Sequence, residues 1–309
     1  MPKRSSSTII LLAVFAIGIF LAYEASQPYL YRAAFAGSYK YNLLFTNYGW
    51  LIPIAVFLGI FAGAAAKRKE AEIVDGKVLR HDETAFLIHW SHAVSCVLLL
   101  ITGVYLGFLF IPRLVNTPQM VGFMINLHFI GVLVFMFSVT MHVTDVLVGG
   151  KLKEHLPADH DLGDAIAHYG AKLGLATPKK EGKFLASERL SYPLWVLSVG
   201  LVILTGVVKV SAHYWNLPAG LMKVTTLFHD LAAILVLANL AAHVFLSSIV
   251  PWSWPLIKSM INGYVPLEYA KHHHALWYEE LTGEILPDPE PPAKKRNKDQ
   301  QKETTTAQA

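Results

Sequence analysis

The chain has 309 residues, 54% of them apolar and only 16% charged, with a mean hydropathy of +0.42; soluble domains average about 25% charged residues, so the composition is that of an integral membrane protein. A single cysteine, Cys96, excludes disulfides, a Cys-x-x-Cys-His attachment of c-type haem and an iron–sulfur cluster held by this chain alone. Neither a P-loop nor a G-x-G-x-x-G stretch occurs, which excludes a soluble nucleotide-driven enzyme.

Six uncharged stretches follow one another: Ser5 to Tyr23, Asn42 to Ala66, Thr84 to Pro112, Leu114 to Thr144, Leu190 to Val208 and Leu231 to Ile257. Most exceed the roughly 18 residues that a bilayer span needs. The expected fold is therefore all-α and integral to the membrane, a bundle of about six transmembrane helices. The first stretch, behind Lys3-Arg4, also resembles a signal peptide. The residues after it lack a small-x-small cleavage pattern, so a retained anchor is the preferred reading. With the N-terminus inside, 21 of the 26 Lys and Arg residues fall on cytoplasmic segments and the outside connections hold only Arg32, Lys40, Arg113, Lys209 and Lys223. That asymmetry places both termini in the cytoplasm. Between the fourth and fifth segments, Leu162, Ile166, Tyr169 and Leu173 recur at helical spacing and predict an interfacial amphipathic helix. Past Gly283 the composition turns to Pro, Lys, Gln and Thr, which predicts a disordered tail.

Five histidines lie at bilayer depth, where unsatisfied ring nitrogens are costly. They are His89 on the third segment, His128 and His142 on the fourth, and His229 and His243 on the sixth. From His229 to His243 the helix rises about 21 Å and returns to within ~40° of the same face. Two haems stacked across a bilayer need ligands so placed, whereas a zinc site gathers its ligands within a turn or two. Depth pairs His128 with His229 on the outside and His89 with His243 on the inside. His142 also follows His128 by 14 residues, so spacing alone leaves His89 and His142 as rivals for the inner haem. Thr102-Gly103, Gly131 and Thr205-Gly206 leave room for a macrocycle. Asp230 beside His229 is expected to orient a ligand or pair with Lys223 or Arg113. Cys96 reads as packing, and His81, His155, His160, His168, His213 and His272 to His274 read as solvated loop or edge residues.

From residue 84 to 282 the chain resembles the di-haem cytochrome b (gamma) subunits of membrane-bound respiratory formate dehydrogenases, within the cytochrome b561/Ni-hydrogenase cytochrome b group. The resemblance is carried by His89-Trp90, Thr117-Pro118-Gln119-Met120 ahead of Leu127-His128, Thr205-Gly206-Val207, the His229 to His243 spacing, and Ala270-Lys271-His272-His273 followed by Trp277-Tyr278. It implies an 84–282 four-helix di-haem core, an N-terminal extension over 1–83 with two further transmembrane helices, and a 283–309 cytoplasmic tail. It also implies an inner haem b on His89 and His243 and an outer haem b on His128 and His229, with these four histidines as the iron ligands.

The implied partners are an iron–sulfur (beta) subunit, a molybdenum or tungsten catalytic (alpha) subunit, membrane lipid and a quinone, menaquinone or ubiquinone, that takes electrons at the cytoplasmic side of a bacterial inner membrane. No nucleic-acid partner is expected. Any reaction on this chain is quinone reduction, at a site expected to include Glu188, Arg189 and His142. Where the family usually offers Asn-x-Gly-Gln-Lys ahead of the fifth helix, this chain has Leu185-Ala186-Ser187-Glu188-Arg189; the basic residue is kept and the two amides are lost. Competing readings are a cytochrome b subunit of Ni-Fe hydrogenase or of a sulfur-compound reductase and, in a different class, a histidine-lined metal or proton transporter without haem.

Overall fold

Capping chemistry sets where two of the long helices begin in the computed structural model, which describes residues 3–27, 43–109 and 111–289. The Asp82 carboxylate accepts the Ala85 N–H (2.8 Å). Ahead of the next helix the Thr117 hydroxyl accepts the Met120 N–H (3.3 Å), with Pro118 in the first turn. Caps of this kind contribute about 1 kcal/mol each. In chain order the helices are α1 (Lys3–Ala25), α2 (Leu44–Tyr48), α3 (Leu51–Ala64), α4 (Glu83–Leu106), α5 (Pro118–Val148), α6 (Leu152–His155), α7 (Asp161–Lys172), α8 (Ala186–Ser211), α9 (Ala219–Val244), α10 (Trp254–Asn262), α11 (Leu267–His273) and α12 (Ala275–Thr282). Among the described residues, α1, α4, α5, α8 and α9 are long and apolar enough to cross a membrane.

The second apolar stretch is not one long helix. Pro53 has no N–H to offer the Gly49 carbonyl one turn back, and that carbonyl instead accepts from Ile52 (3.0 Å). Helix α3 restarts there and is 14 residues long, about 21 Å of rise against a hydrocarbon core of about 30 Å. The sixth helix starts at Ala219, earlier than its uncharged stretch, because Lys223 and Asp230 lie within it. Past His243 it loosens into a π turn over Phe245–Ile249.

One compact unit comprises Met1–Leu156 and Ser191–Tyr269. Its centre is α5, on which α1, α3 and α4 pack. Buried Asn126 is the polar knot. It accepts the Leu44 N–H (2.8 Å) and donates to Ser26 Oγ (3.0 Å), which in turn donates to the Ala22 carbonyl (2.7 Å). Helix α3 lies against α5 through Gly59-x-x-x-Gly63. A Cβ at Gly59 would overlap the Phe137 carbonyl and Thr140 Oγ1, and one at Gly63 would meet the Met141 carbonyl at 2.5 Å, the close backbone approach that small residues permit in membranes. At the end of α5, buried Asp145 is held by Arg68 Nε and Lys151 Nζ, each at 3.0 Å.

A small antiparallel sheet went unread in the sequence. Strand β1 (Ile73–Val74) pairs with β2 (Lys77–Leu79), and β2 with β3 (Tyr264–Pro266), with Val78 opposite Val265. The hairpin turns on Asp75-Gly76, both at positive φ (49° and 68°), the Asp-Gly chemistry that tight hairpins favour.

The other unit comprises Pro157–Leu190 and the described residues from Ala270 onward. The amphipathic helix forms as expected: α7 buries Asp161, Ala165 and His168 and leaves Leu162 and Ile166 exposed. His274 is fully buried and donates from Nδ1 to the Gly182 carbonyl (2.8 Å), while Lys180 binds Glu279 (2.8 Å). Part of the predicted tail is placed: Glu284 accepts from Tyr278 (2.7 Å) and the Leu286 N–H donates to Glu279 (2.9 Å). The rest of that tail, 290–309, and the outside connection bearing Arg32 and Lys40 lie outside the described residues.

Candidate functional site

His89 sits two turns into α4 and His243 near the last turn of α9. Their ring centres are 6.2 Å apart, tilted by 53°. With a metal–imidazole bond of about 2 Å and a ring centre roughly 1 Å behind its nitrogen, two rings on opposite sides of one metal stand about 6 Å apart. Trp90 edges onto His89 (5.1 Å) and Trp195 onto His243 (6.5 Å), walling the pair with aromatic surface. The buried Nδ1 of His89 has no hydrogen-bond partner, unlike Nδ1 of His128 and of His229.

His128 and His229 are set by a different and repeated device. His128 Nδ1 lies 2.8 Å from Thr102 Oγ1, and His229 Nδ1 lies 2.9 Å from Thr205 Oγ1. Each threonine hydroxyl already has its proton directed at a carbonyl of its own helix, Leu98 (2.8 Å) and Leu201 (2.7 Å) respectively. A hydroxyl has one proton to give, so each imidazole must donate its Nδ1–H to the threonine. The Nε2 lone pairs are then left for a metal, with ring orientation fixed by an outer hydrogen bond as metal-bound histidines require. Gly206 leaves space beside His229, where even an added Cβ would stay 3.6 Å from Cε1, and a Cβ at Gly103 would meet nothing within 4 Å. Gly131 behaves otherwise: its missing Cβ admits Leu99 at 2.9 Å, so it serves helix packing rather than a macrocycle.

Other predicted residues fall elsewhere. His142 Nε2 lies 3.3 Å from the Tyr192 hydroxyl, and its ring is 6.0 Å from those of His92 and His155. His92 and His155 each donate Nδ1–H to a carbonyl one turn back, Ile88 and Lys151, both at 3.0 Å. Glu188 reaches back to accept the Leu185 N–H (2.9 Å) at the start of α8, the backward half of a capping box whose other half Leu185, with no side-chain acceptor, does not supply. Arg189 forms an ion pair with fully buried Asp161. Asp230 pairs with neither Lys223 nor Arg113; it accepts the N–H of Leu109 (3.1 Å), a residue at φ 48°. Cys96 is buried as packing. Several histidines expected in solvent are not there. His81, His168 and His274 are buried, and His213 is bonded to Thr46 (2.9 Å) and stacked on Phe45. Only contacts made by folding bury them, and no local apolar pattern announces those.

Among the described residues no three His, Cys, Asp or Glu side chains converge as a protein-only metal site requires. His89 and His243 face each other as a pair, which suits an iron whose remaining positions a porphyrin fills. A family model described as prokaryotic cytochrome b561 matches residues 80–263. The chain belongs to the prokaryotic cytochrome b561 family. This cytochrome is 24% identical over 216 residues to the formate dehydrogenase cytochrome b556 subunit of Haemophilus influenzae, an alignment covering 67% of this chain and 84% of that one. In Escherichia coli the similar proteins are the nitrate-inducible formate dehydrogenase cytochrome b556(Fdn) subunit and the cytochrome b556(fdo) subunit. The first is 24% identical over 197 residues, covering 62% of this chain and 86% of its own. The second is 21% identical over 222 residues, covering 66% and 93%. The family match opens at residue 80, so helices α1 to α3 of this cytochrome stand before it.

Thr102 and Thr205, expected only to leave room for a macrocycle, lie within hydrogen-bond distance of His128 and His229. Their signal was present: Thr-Gly-Val occurs at 102–104 and again at 205–207, each ahead of its histidine.

Proposed function

We propose that this cytochrome is the membrane-anchoring electron-transfer subunit of a formate dehydrogenase. In this reading it passes electrons inward from extracytoplasmic catalytic and iron–sulfur subunits to a quinone at the cytoplasmic face of a bacterial inner membrane. The observation that carries the reading is the pairing of His89 with His243 at 6.2 Å, beside two further histidines whose Nε2 atoms are left open by Thr102 and Thr205. His89 and His243 would hold an inner haem b, and His128 and His229 an outer one, in a four-helix domain over 84–282. The haems supply one-electron carriers that a hydrocarbon interior otherwise lacks.

The chain's own part is to hold four imidazoles in ligating tautomers, exclude water and deliver protons. Moving two electrons inward against ~150 mV costs about 7 kcal/mol, a drop that formate as donor supplies. Reduced quinone takes up a proton for each electron, and His142, within 3.3 Å of the Tyr192 hydroxyl and clustered with the His155 ring, would relay protons to it. Glu188 and Arg189 are proposed to complete the quinone site in addition to their capping and ion-pair contacts. His142→Ala is expected to retain haem and lose at least tenfold in formate-to-quinone turnover, and Glu188→Gln to slow the same step; haem reduction by formate should stay fast in both. Parent-like turnover in both variants would remove this site.

Thr205→Val deletes the acceptor of the His229 Nδ1–H and should weaken haem retention by about 10–100-fold, the usual cost of losing such a partner. The rate of haem transfer to an apo-acceptor protein measures it. The assembly itself is tested by purifying the tagged chain from its own membranes: formate added to the preparation should reduce its b-type absorbance, and failure with hydrogen succeeding instead would reassign the donor.

A further inference from the structure

The second unit contains a cavity of about 260 Å³ that the electron path does not use. Helix α7 contributes His168 and Lys172 to it, the following loop Lys179 and Glu181, and the end of α11 His272 and His273. Glu181 is the one acid among the described lining residues: one oxygen accepts the Ala186 N–H (2.9 Å), and the other, buried without a hydrogen-bond partner, lies 3.7 Å from His168 Nδ1. Cationic and potentially cationic groups therefore outnumber carboxylates around the space. Burial, then the charges of Lys172, His168 and His272, pushes the His273 imidazole down to about 4. Burial likewise lowers Lys172 and His168. An anion placed among these groups would offset the mutual repulsion of Lys172, His168, His272 and His273 and favour their charged forms.

Two observations say which anion. The space, open on one side, has room for a tetrahedral oxyanion with its waters. Beside it, α7 presents Leu162 and Ile166 outward and is followed by Leu173 and Leu175, the last two 74% and 79% exposed. An exposed apolar stripe flanked by lysines is the surface of a helix lying among lipid headgroups, where basic pockets take lipid phosphates. We propose that this cavity binds a phosphate group, that of an acidic phospholipid headgroup. The Lys271-His272-His273 segment would then have a lipid-binding task separate from haem and quinone.

The test follows the His273 ring by NMR in the full-length, haem-loaded chain. Three preparations are compared: phosphatidylcholine nanodiscs, the same with phosphatidylglycerol, and the first with inorganic phosphate. With phosphatidylglycerol the His273 pKa should climb from about 4 toward its ordinary 6.5, with little change from inorganic phosphate. Lys172→Gln with Lys179→Gln should abolish the shift and leave haem content intact. A rise with inorganic phosphate alone would keep the phosphate site and overturn the lipid source. No rise in either preparation, or an undiminished rise in the double variant, would overturn the site.

Discussion

His243→Ala is expected to lower haem content from two per chain to one, with the remaining haem unaltered in its spectrum, and His89→Ala to do the same. Each removes one of the two imidazoles whose 6.2 Å spacing fits a single iron, and bis-histidine ligation does not survive with half its donors. His142→Ala should keep both haems. Its 14-residue separation from His128 makes it the rival on spacing, yet its Nε2 is directed to the Tyr192 hydroxyl and its ring is packed by His92 and His155. Pyridine haemochrome quantitation on the three variants decides between them. Loss of a haem in His142→Ala, with retention in His89→Ala, would mean that α5 and α9 alone carry both pairs.

The second large effect is expected at Arg189. Its guanidinium neutralises Asp161, whose side chain is fully buried. Removing one partner of such a pair leaves an uncompensated charge and costs about 3–5 kcal/mol, although the Ala158 N–H (2.8 Å) still serves one carboxylate oxygen. Arg189→Ala should accordingly speed amide exchange across α7. Adding Asp161→Asn removes the stranded charge and should restore most of the protection. The double variant also separates two roles for Arg189. If quinone turnover recovers with α7, the residue acts through folding; if protection returns and turnover stays low, Arg189 contacts the quinone.

Membrane class, the long helices and the shared face of His229 and His243 were legible in the sequence because each is a local or singly periodic signal, uncharged length and a 14-residue return to one helix face; the same spacing left His89 and His142 as rivals. The break at Pro53 in the second segment was not read, because an uncharged stretch counts residues and not missing N–H groups. The Asp75-Gly76 hairpin carried its turn residues in plain view, and only the pairing of Val78 with Val265, 187 positions away, gives it a partner. The burial of His168 and His274 depends on a small unit assembled from 157–190 and the C-terminal block, a contact that no window of sequence contains. Thr102 and Thr205 show the same limit at the site. Their positions were visible as room for a large group, whereas their role depends on a hydroxyl whose one proton is already committed to the helix behind it.

The most direct measurement of the central claim is the haem content of the purified full-length chain, by pyridine haemochrome together with a reduced-minus-oxidised spectrum. Two b haems per polypeptide, both low-spin, are the predicted result. One haem would contradict one of the two histidine pairs, and a content near zero would contradict the electron-transfer function altogether.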